Sequence, residues 1–446
     1  MLGRLESNRR PIRLLRVTSA SILDQCFFTG TNFLTSVFVG KLGGEDELGV
    51  YTLVFSLVML AIALQRTLLI TPYVVIRDRL ASDQRSQLRG TMLFASVSVA
   101  LAFLAIGGVV IATGYWLVGL ATAAVGAGLV RDFVRRLGVA DLQVNRSLVI
   151  DATTCVAQLG LLFVLFHSQA RVSAENVLLF VCPSWLIIGG AAYFFQSQQF
   201  AFVRKMYTGH LRDLWQTGRW VGLNQLLSTC QAYTMPWLLA TCHSLKLAGA
   251  YAACGMLVQV TSPIIEGIGG ILGPALAKAV ARRDRQEMRS RIALATTVYA
   301  GLSLAVVVVL STFGDVLLSV VFGPVYRPYY GVLVLIGLAA TFNNLGIPAT
   351  KALTQLGKAS STSLVVGFVF LGSILSGYYG LSWIGMIGPA IALCSMALIG
   401  CISRWSILTV SWQKFAWATA PETRSAQEQS VVEQGIGHSS QKEMVQ

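Results

Sequence analysis

The chain has 446 residues, of which 54% are hydrophobic and 12% are charged, and its mean hydropathy is +0.66. Charged residues make up about 25% of ordinary soluble proteins, so this composition excludes an ordinary soluble domain. The net charge of +14 does not indicate a nucleic-acid partner, because the basic residues lie in short loops between apolar runs. The eight cysteines form no CxxC pair and lie in or beside apolar segments, which predicts packing residues.

Apolar runs of about 18–20 residues, the length that crosses a ~30 Å hydrocarbon core as a helix, recur along the chain. They predict an all-α integral membrane protein with about twelve transmembrane helices. The predicted spans are 17–40, 48–70, 91–112, 115–130, 148–167, 176–196, 218–241, 247–272, 291–311, 329–348, 360–381 and 384–403.

The basic residues alternate between the predicted loops. Loops on one side hold nearly all of them, including five N-terminal arginines and the group Arg131, Arg135 and Arg136, which we assign to a loop after the fourth span. The loops on the other side hold only Lys41, Arg171, Lys246 and Arg327. Because basic residues resist translocation, this asymmetry predicts that both termini are cytoplasmic.

Five segments follow from these spans. They are a basic N-terminus (1–16), a first six-helix bundle (17–198), a linker (199–217), a second six-helix bundle (218–405) and a polar tail (406–446). We expect no cleavable signal, because no small-residue cleavage site follows a short apolar core. The tail is rich in Gln, Ser and Glu without periodicity, so we expect it to be largely disordered.

The two bundles resemble each other at an offset of 200 residues. The pair Asp24-Gln25 aligns with Asn224-Gln225, and a Gly-x-Tyr motif opens the second span of each half at Gly49 and Gly249. The offset later becomes 212. Six spans per half give both halves the same orientation, which predicts a pseudo-twofold axis along the membrane normal and a cleft between the halves.

Polar side chains within the spans are the candidate cavity residues. Asp24 could hold a cation or proton, or could fix helix packing; both remain open. For Asp151, the simplest prediction is an ion pair with Arg146 or another basic loop residue. Gln25 and Asn32 form with Asp24 a polar stripe that either faces the cavity or fixes helix packing. The neutral candidates for binding sugar hydroxyls, for which helix packing is at least an equal alternative, are Asn224, Gln225, Gln231, Asn343 and Asn344.

Arg66 and Glu266 are opposite charges related by the 200-residue offset, so the repeat places them at the same depth. We expect a gate or a substrate-contact pair, with Arg66 available to an anionic head group. The alternative for Arg66 is an extended side chain that reaches the cytoplasmic interface.

Several motifs resemble one known family. The segments Gly30-Thr-Asn32-Phe33-Leu34, Lys41-Leu42-Gly43 and Phe322-Gly323-Pro324-x-Tyr326 are similar to those of bacterial polysaccharide export proteins in the multidrug/oligosaccharidyl-lipid/polysaccharide (MOP) flippase superfamily. The resemblance covers about residues 17–405 and implies two bundles, twelve helices and alternating access. One departure is that we predict no dense set of arginines in mid-span, which several such flippases use to hold pyrophosphate.

The resemblance implies a flippase for lipid-linked oligosaccharide in the cytoplasmic membrane, with membrane lipids and polysaccharide assembly proteins as further partners. Cation-coupled multidrug efflux and a membrane glycan polymerase or transferase are the alternatives. The sequence shows no phosphate loop, zinc spacing or nucleophile elbow in a supporting context, so we expect no enzyme. We expect no cofactor; coupling to H⁺ or Na⁺ stays open.

Overall fold

The computed structural model describes residues 2–77, 81–141, 143–168, 172–197, 209–415 and 417, although it leaves some side chains, including those before residue 20, undescribed. Among these residues every regular element is helical. The α-helices are α1 (Leu2–Leu42), α2 (Glu45–Gln65), α3 (Thr71–Ile76), α4 (Ser82–Ala112), α5 (Trp116–Ala140), α6 (Val144–His167), α7 (Ala174–Ser197), α8 (Gly209–Cys242), α9 (Leu245–Gln259), α10 (Ser262–Ala281), α11 (Arg285–Val321), α12 (Tyr330–Gln355), α13 (Ala359–Ile384) and α14 (Ile387–Lys414).

Two predicted spans are composite. A π-helical segment, Arg66–Ile70, joins α2 to α3, and a break at Val260 and Thr261 separates α9 from α10. Pro263 lies in the first turn of α10, where its missing N–H leaves no helical hydrogen bond unmade. When each composite span is counted once, the described chain forms twelve helical rods, which is the predicted number.

Within the described residues, ten helices are long and apolar enough to cross a membrane. They include α4 to α7 and α10 to α14, together with the stretch Glu45–Val74. The helices α1 and α8, which open the two halves, are less apolar because they carry the polar candidates between Asp24 and Asn32 and between Asn224 and Gln231. These are the two helices on which the sequence places most of its cavity residues.

The two halves repeat one pattern of helix packing. In the first half α5 packs on α4 and α7, while α6 packs on α1 and α7; in the second half α12 packs on α11 and α14, while α13 packs on α8 and α14. The halves meet through α1, α2 and α3 on one side and α8, α9 and α10 on the other. This agrees with the predicted pseudo-twofold relation of two six-helix bundles.

The hydrophobic core is shared at one end of the bundle and divided at the other. At the end of the α1–α2 and α8–α9 turns, residues of both halves, among them Leu48, Tyr51, Tyr251 and Tyr326, form one buried cluster. At the opposite end each half has its own cluster, one around Tyr73 and one that includes Tyr299. The two halves therefore share a packed core at one end and have separate cores at the other.

The shared end depends on glycine. A Cβ at Gly49 would meet the backbone oxygen of Leu245, and a Cβ at Gly249 would meet that of Glu45. These two contacts are related by the 200-residue offset, so the sequence repeat is also a repeat of the interface. Small residues allow this close backbone approach.

Several predicted boundaries differ from the structure. The fourth span was predicted to end at 130, but α5 continues to Ala140; α8 begins at Gly209, inside the predicted linker; and α14 continues to Lys414, into the predicted tail. In each case the helix extends through polar residues that the apolar pattern alone does not include. Residues 418–446 of the predicted tail lie outside the described residues, so its predicted disorder remains a prediction.

Candidate functional site

A cavity of about 430 Å³ lies between the halves. Its walls come from α1, α2, α5, α8, α9, α10 and the π-helical segment. The lining residues are Gln25, Phe28, Thr29, Asn32, Phe33, Ser36, Phe55, Met59, Ile62, Ala63, Arg66, Arg136, Gln225, Ser228, Thr229, Ala232, Tyr233, Met256, Gln259, Ser262 and Glu266.

Most of this lining obeys the internal repeat. Eight pairs of lining residues are related by the offset of 200. They are Gln25 and Gln225, Phe28 and Ser228, Thr29 and Thr229, Asn32 and Ala232, Phe33 and Tyr233, Met59 and Gln259, Ile62 and Ser262, and Arg66 and Glu266. The cavity therefore lies on the pseudo-twofold axis.

At each end of the cavity the two halves touch through a pair of contacts related by the offset of 200. The first pair lies at the end where the core divides. Beyond Arg66, the Thr67 hydroxyl donates to the Gly222 carbonyl at 3.1 Å. At the equivalent place in the other half, a Cβ on Gly267 would lie 3.0 Å from the Ile22 side chain. These are side-chain contacts, whereas the shared end has backbone contacts at Gly49 and Gly249. The contacts between the halves are therefore less close at the end where the core divides.

Two arginines and one glutamate are the charged residues of the described lining. Arg66 from the π-helical segment and Arg136 from α5 share the carboxylate of Asp132, each with a nitrogen 3.6 Å from an oxygen. The exposed fractions of their side chains are 24% and 18%, so both guanidinium groups reach the cavity. The Nε atoms of both are buried without a hydrogen-bond partner.

A buried ion network lies directly behind this wall. The Arg135 side chain donates to Asp24 at 2.8 Å and to Asp151 at 2.5 Å, and Arg131 donates to Asp151 at 3.1 Å. Arg135 also lies 3.6 Å from Asp132, so the network continues to the cavity arginines. Buried charges are tolerated when they are paired in this way.

Aromatic rings complete the surroundings of the network. The Arg135 guanidinium lies 4.5 Å from the ring centre of Phe28, and the Arg131 guanidinium lies 5.7 Å from that of Trp185. Such cation–π contacts stabilise a desolvated arginine by about 2 kcal/mol. Phe28 also lines the cavity, so one ring separates the buried network from the cavity space.

The sequence-based prediction was wrong about these arginines. They were placed in a cytoplasmic loop, and no dense set of arginines was expected in mid-span; the structure puts Arg131 and Arg135 inside α5 and brings Arg136 to the cavity wall. A signal was present, because the predicted span of 16 residues was too short for a bilayer. Spacing of i, i+4 places Arg131 with Arg135 on one side and Asp132 with Arg136 on the neighbouring side.

Five of the ten predicted cavity residues line the cavity. They are Gln25, Asn32, Arg66, Gln225 and Glu266. The other five belong to other surroundings. They are Asp24, Asn224, Gln231, Asn343 and Asn344, and none of them lines the central cavity within the described part of the chain.

The misplaced residues have identifiable positions. Asp24, one residue from Gln25, is turned about 100° around α1 toward Arg135, which corresponds to the packing alternative. Asn344 donates to the Ser303 hydroxyl at 3.1 Å and thereby joins α12 to α11. By the offset of 212, Asn343 and Asn344 are the counterparts of Arg131 and Asp132, so the first half carries charges where the second carries amides.

The expected contact between Arg66 and Glu266 is not an ion pair in this conformation. Both side chains line the cavity, but the carboxylate nearest to Arg66 among the described residues is that of Asp132. The Arg66 side chain is half-buried beside Asp132 and lines the cavity. The described residues also contain no cluster of His, Cys, Asp and Glu that could hold a metal.

Solved structures share this fold. An inward-facing multidrug resistance MATE family transporter of the MOP superfamily superposes with a TM-score of 0.70 at 14% identity, over 86% of this chain and 96% of that one. An outward-facing MATE family transporter gives 0.64 at 13% identity, over 90% and 96%. No family model and no curated protein matches the sequence.

This chain has the fold of the MATE transporters. At 14% identity this shared fold does not specify the side chains, so the ligand chemistry has to be inferred from the cavity of this chain itself.

Proposed function

We propose that this protein is a flippase that moves lipid-linked oligosaccharide across the cytoplasmic membrane by alternating access. The observation that carries the proposal is the pair of arginines, Arg66 and Arg136, whose guanidinium groups face the cavity between the halves. Arginine binds phosphate oxygens through two parallel N–H donors. The anionic phosphate or pyrophosphate of a lipid-linked glycan is the group that fits them.

The rest of the cavity offers hydrogen-bonding groups to a sugar. Amide and hydroxyl groups of Gln25, Asn32, Gln225, Thr229 and Ser262 lie on its walls and can exchange hydrogen bonds with sugar hydroxyls. A volume of about 430 Å³ is typical of a site for a small ligand, so it accommodates a head group and not a long polyprenyl chain. The lipid tail stays in the bilayer.

The packing of the halves supports alternating access. Both halves share one hydrophobic core at the Gly49–Gly249 end and have separate cores at the other, so the second end opens without exposing shared apolar surface. Rocking one bundle against the other would transfer the opening to the Gly49–Gly249 end. By the charge asymmetry of the loops, the divided end is cytoplasmic, which is the side where the substrate would enter.

Coupling to an ion would involve Asp24. One guanidinium, that of Arg135, is shared by Asp24 and Asp151, and the second negative charge is balanced by Arg131. A proton or Na⁺ that bound Asp24 would release Arg135 from α1 and loosen the first bundle. This couples charge at Asp24 to the position of the cavity wall.

Cation-coupled multidrug efflux is the second candidate, since the structures with this fold are multidrug resistance transporters by description. Glu266 would be the group that attracts a cationic drug. Two arginines on the same cavity oppose it, because a cation would enter beside two like charges. The electrostatics of the lining therefore favour an anionic substrate.

Transport in proteoliposomes tests the proposal. We expect the purified protein to move undecaprenyl-pyrophosphate-linked oligosaccharide between leaflets, as measured by the fraction of glycan that an added lectin can reach. The double variant R66Q/R136Q loses two charge-assisted hydrogen bonds at about 1.5 kcal/mol each, so the initial rate should fall at least about tenfold.

The variant R327Q is the control, because Arg327 is exposed and pairs with Asp315 away from the cavity. It should transport at the rate of the unaltered protein. An unaltered rate for R66Q/R136Q would contradict the proposed role of the arginines. No movement of glycan by the unaltered protein, together with export of a cationic dye, would replace the proposal with multidrug efflux.

A further inference from the structure

A second cavity, of about 550 Å³, lies on the outer surface of the second half. It is a groove between α11 and α14, which we call the α11–α14 groove. Its lining residues are Arg285, Arg289, Ile292, Ala293, Thr296, Thr297, Trp405, Leu408, Thr409 and Trp412. None of them belongs to the central cavity, so the groove is a separate site.

The lining of the groove changes from charged to apolar along the axis of α11. On α11 the lining positions follow at three- and four-residue steps from Arg285 and Arg289 to Thr296 and Thr297, which extends about 18 Å along the axis. The opposite wall is a stripe of α14 from Trp412 back to Trp405. Trp405 is held in place from α12 by a 3.0 Å hydrogen bond from its indole N–H to the Leu345 carbonyl.

The charged end of the groove carries two arginines of α11. Arg285 and Arg289 form no ion pair or hydrogen bond among the described residues, whereas the neighbouring Arg291 binds Glu287 at 2.6 Å. They are four residues apart, so their guanidinium groups leave the same face of α11. Two unpaired positive charges over one groove form a binding site for an anion.

The internal repeat shows that these charges are specific to the second half. In the first half the counterpart of Arg289 is Arg89, which pairs with Asp141 at 2.6 Å and donates to the Tyr73 hydroxyl at 2.7 Å. The corresponding residues of the second half are Leu353 and Gly273, by the offsets of 212 and 200. The arginine is retained while both of its partners are replaced, which leaves it open to an external ligand.

Aromatic residues mark the same end of the groove as a membrane interface. The rings of Trp412 and Trp417 lie 4.7 Å apart, and the Trp417 indole N–H donates to the Trp412 carbonyl at 2.9 Å. Tryptophan concentrates at the head-group level of bilayers. The arginines are thus at the depth of lipid phosphates, and the apolar end of the groove points toward the acyl chains.

We propose that the α11–α14 groove binds one anionic phospholipid, with its phosphate on Arg285 and Arg289 and one acyl chain between α11 and α14. Basic pockets between transmembrane helices bind anionic head groups in this way. The lining comes from α11 and α14, so a bound lipid stabilises the packing of these two helices. The proposal does not depend on which substrate occupies the central cavity.

Native mass spectrometry of the full chain in detergent tests the site, with dioleoyl phosphatidylglycerol as the probe. We expect the protein to retain phosphatidylglycerol in preference to phosphatidylcholine. The double variant R285Q/R289Q should bind it about 10- to 30-fold more weakly, the effect of two basic groups at a membrane surface. The variant R285K/R289K, which keeps both charges, should retain most of the binding and shows that the fold tolerates change there.

Two controls separate the groove from general surface charge. The variant R282Q/R283Q removes two exposed arginines of the same turn that do not line the groove, and it should bind like the unaltered protein. The variant A293W fills the groove without changing charge and should abolish binding, whereas L294W, at the adjacent exposed position, should not. The proposal would be overturned if R282Q/R283Q lost as much lipid binding as R285Q/R289Q, or L294W as much as A293W. Equal binding of phosphatidylcholine would overturn it as well.

A last arm distinguishes a lipid from a free phosphate. Glycerol phosphate carries the same anionic group without acyl chains, and we expect it not to displace phosphatidylglycerol at the same concentration. Displacement would show that the arginines bind any phosphate and that the groove contributes nothing, which would also overturn the proposal.

Discussion

At the scale of single residues, Asp132 organises the charged wall of the cavity. Its carboxylate lies 3.6 Å from nitrogens of Arg66, Arg135 and Arg136, so one acidic group positions both cavity arginines and joins them to the buried network. The network therefore holds the guanidinium groups in place before any ligand arrives. This preorganisation lowers the conformational entropy lost on binding an anion.

The buried network makes a prediction about stability. The change D151N removes the charge that binds both Arg131 and Arg135, and it should lower the free energy of unfolding by about 3 kcal/mol, because an uncompensated buried charge remains. Chemical denaturation in detergent micelles, followed by tryptophan fluorescence, measures the effect.

The matched control is D315N. Asp315 also binds an arginine, Arg327 at 3.1 Å, but that arginine side chain is 67% exposed. Exposed ion pairs contribute about 1 kcal/mol or less, so D315N should unfold close to the unaltered protein. A loss as small for D151N as for D315N would show that the network does not stabilise the fold.

At the scale of helices, α2 and α9 form the contact that closes one end of the cavity. Their closest points are Gly49 and Gly249, and the Trp237 indole N–H of α8 donates to the Ser56 hydroxyl at 2.7 Å beside them. Because both glycines face backbone atoms rather than flexible side chains, this contact cannot adjust to a larger residue. It exists only when this end is closed.

A single methyl group on α9 should therefore shift the conformational balance. In the variant G249A the added Cβ would overlap the Glu45 carbonyl, so the closed state of this end should become less populated. The variant S36C places a thiol inside the cavity. A membrane-impermeant thiol reagent added from the Gly49–Gly249 side should label S36C severalfold faster when G249A is also present.

The same helix provides the control for this change. Gly255 also lies in α9, and a Cβ there meets nothing within 4 Å; G255A should leave the labelling rate unchanged while altering helix propensity equally. Equal rates for G249A and G255A would mean that the contact at Gly249 does not hold this end closed.

At the scale of the whole molecule, the division of the core determines where access is possible. One cluster joins the halves at the Gly49–Gly249 end, and separate clusters lie at the other. The loops with most basic residues lie at the divided end, which predicts that the divided end is cytoplasmic. Lipid binding at the α11–α14 groove would then occur in the cytoplasmic leaflet.

Cysteine labelling of intact cells tests this orientation. Cys26 and Cys242 are the exposed natural cysteines, so both are first replaced by serine. An impermeant maleimide should then label K41C and R327C in intact cells, whereas R283C should react only after permeabilisation. Labelling of R283C in intact cells and protection of the other two would reverse the orientation and place the divided end outside.

Composition and periodicity alone determined the class and architecture of this protein. Apolar runs of bilayer length predicted the twelve rods, and the offset of 200 residues predicted the two bundles, since a helix in lipid must satisfy its backbone internally and therefore follows local sequence. The repeat also placed Arg66 and Glu266 at one depth, and both line the cavity.

Only the tertiary structure decided which polar residues face the cavity. Asp24 and Gln25 are neighbours in sequence, yet one binds Arg135 and the other lines the cavity, because a turn of about 100° per residue assigns them to different helix neighbours. Arg131 and Arg135 looked like loop residues because an apolar window rejects charge. Their burial depends on carboxylates of α1 and α6 that are distant in sequence, and only packing brings these together.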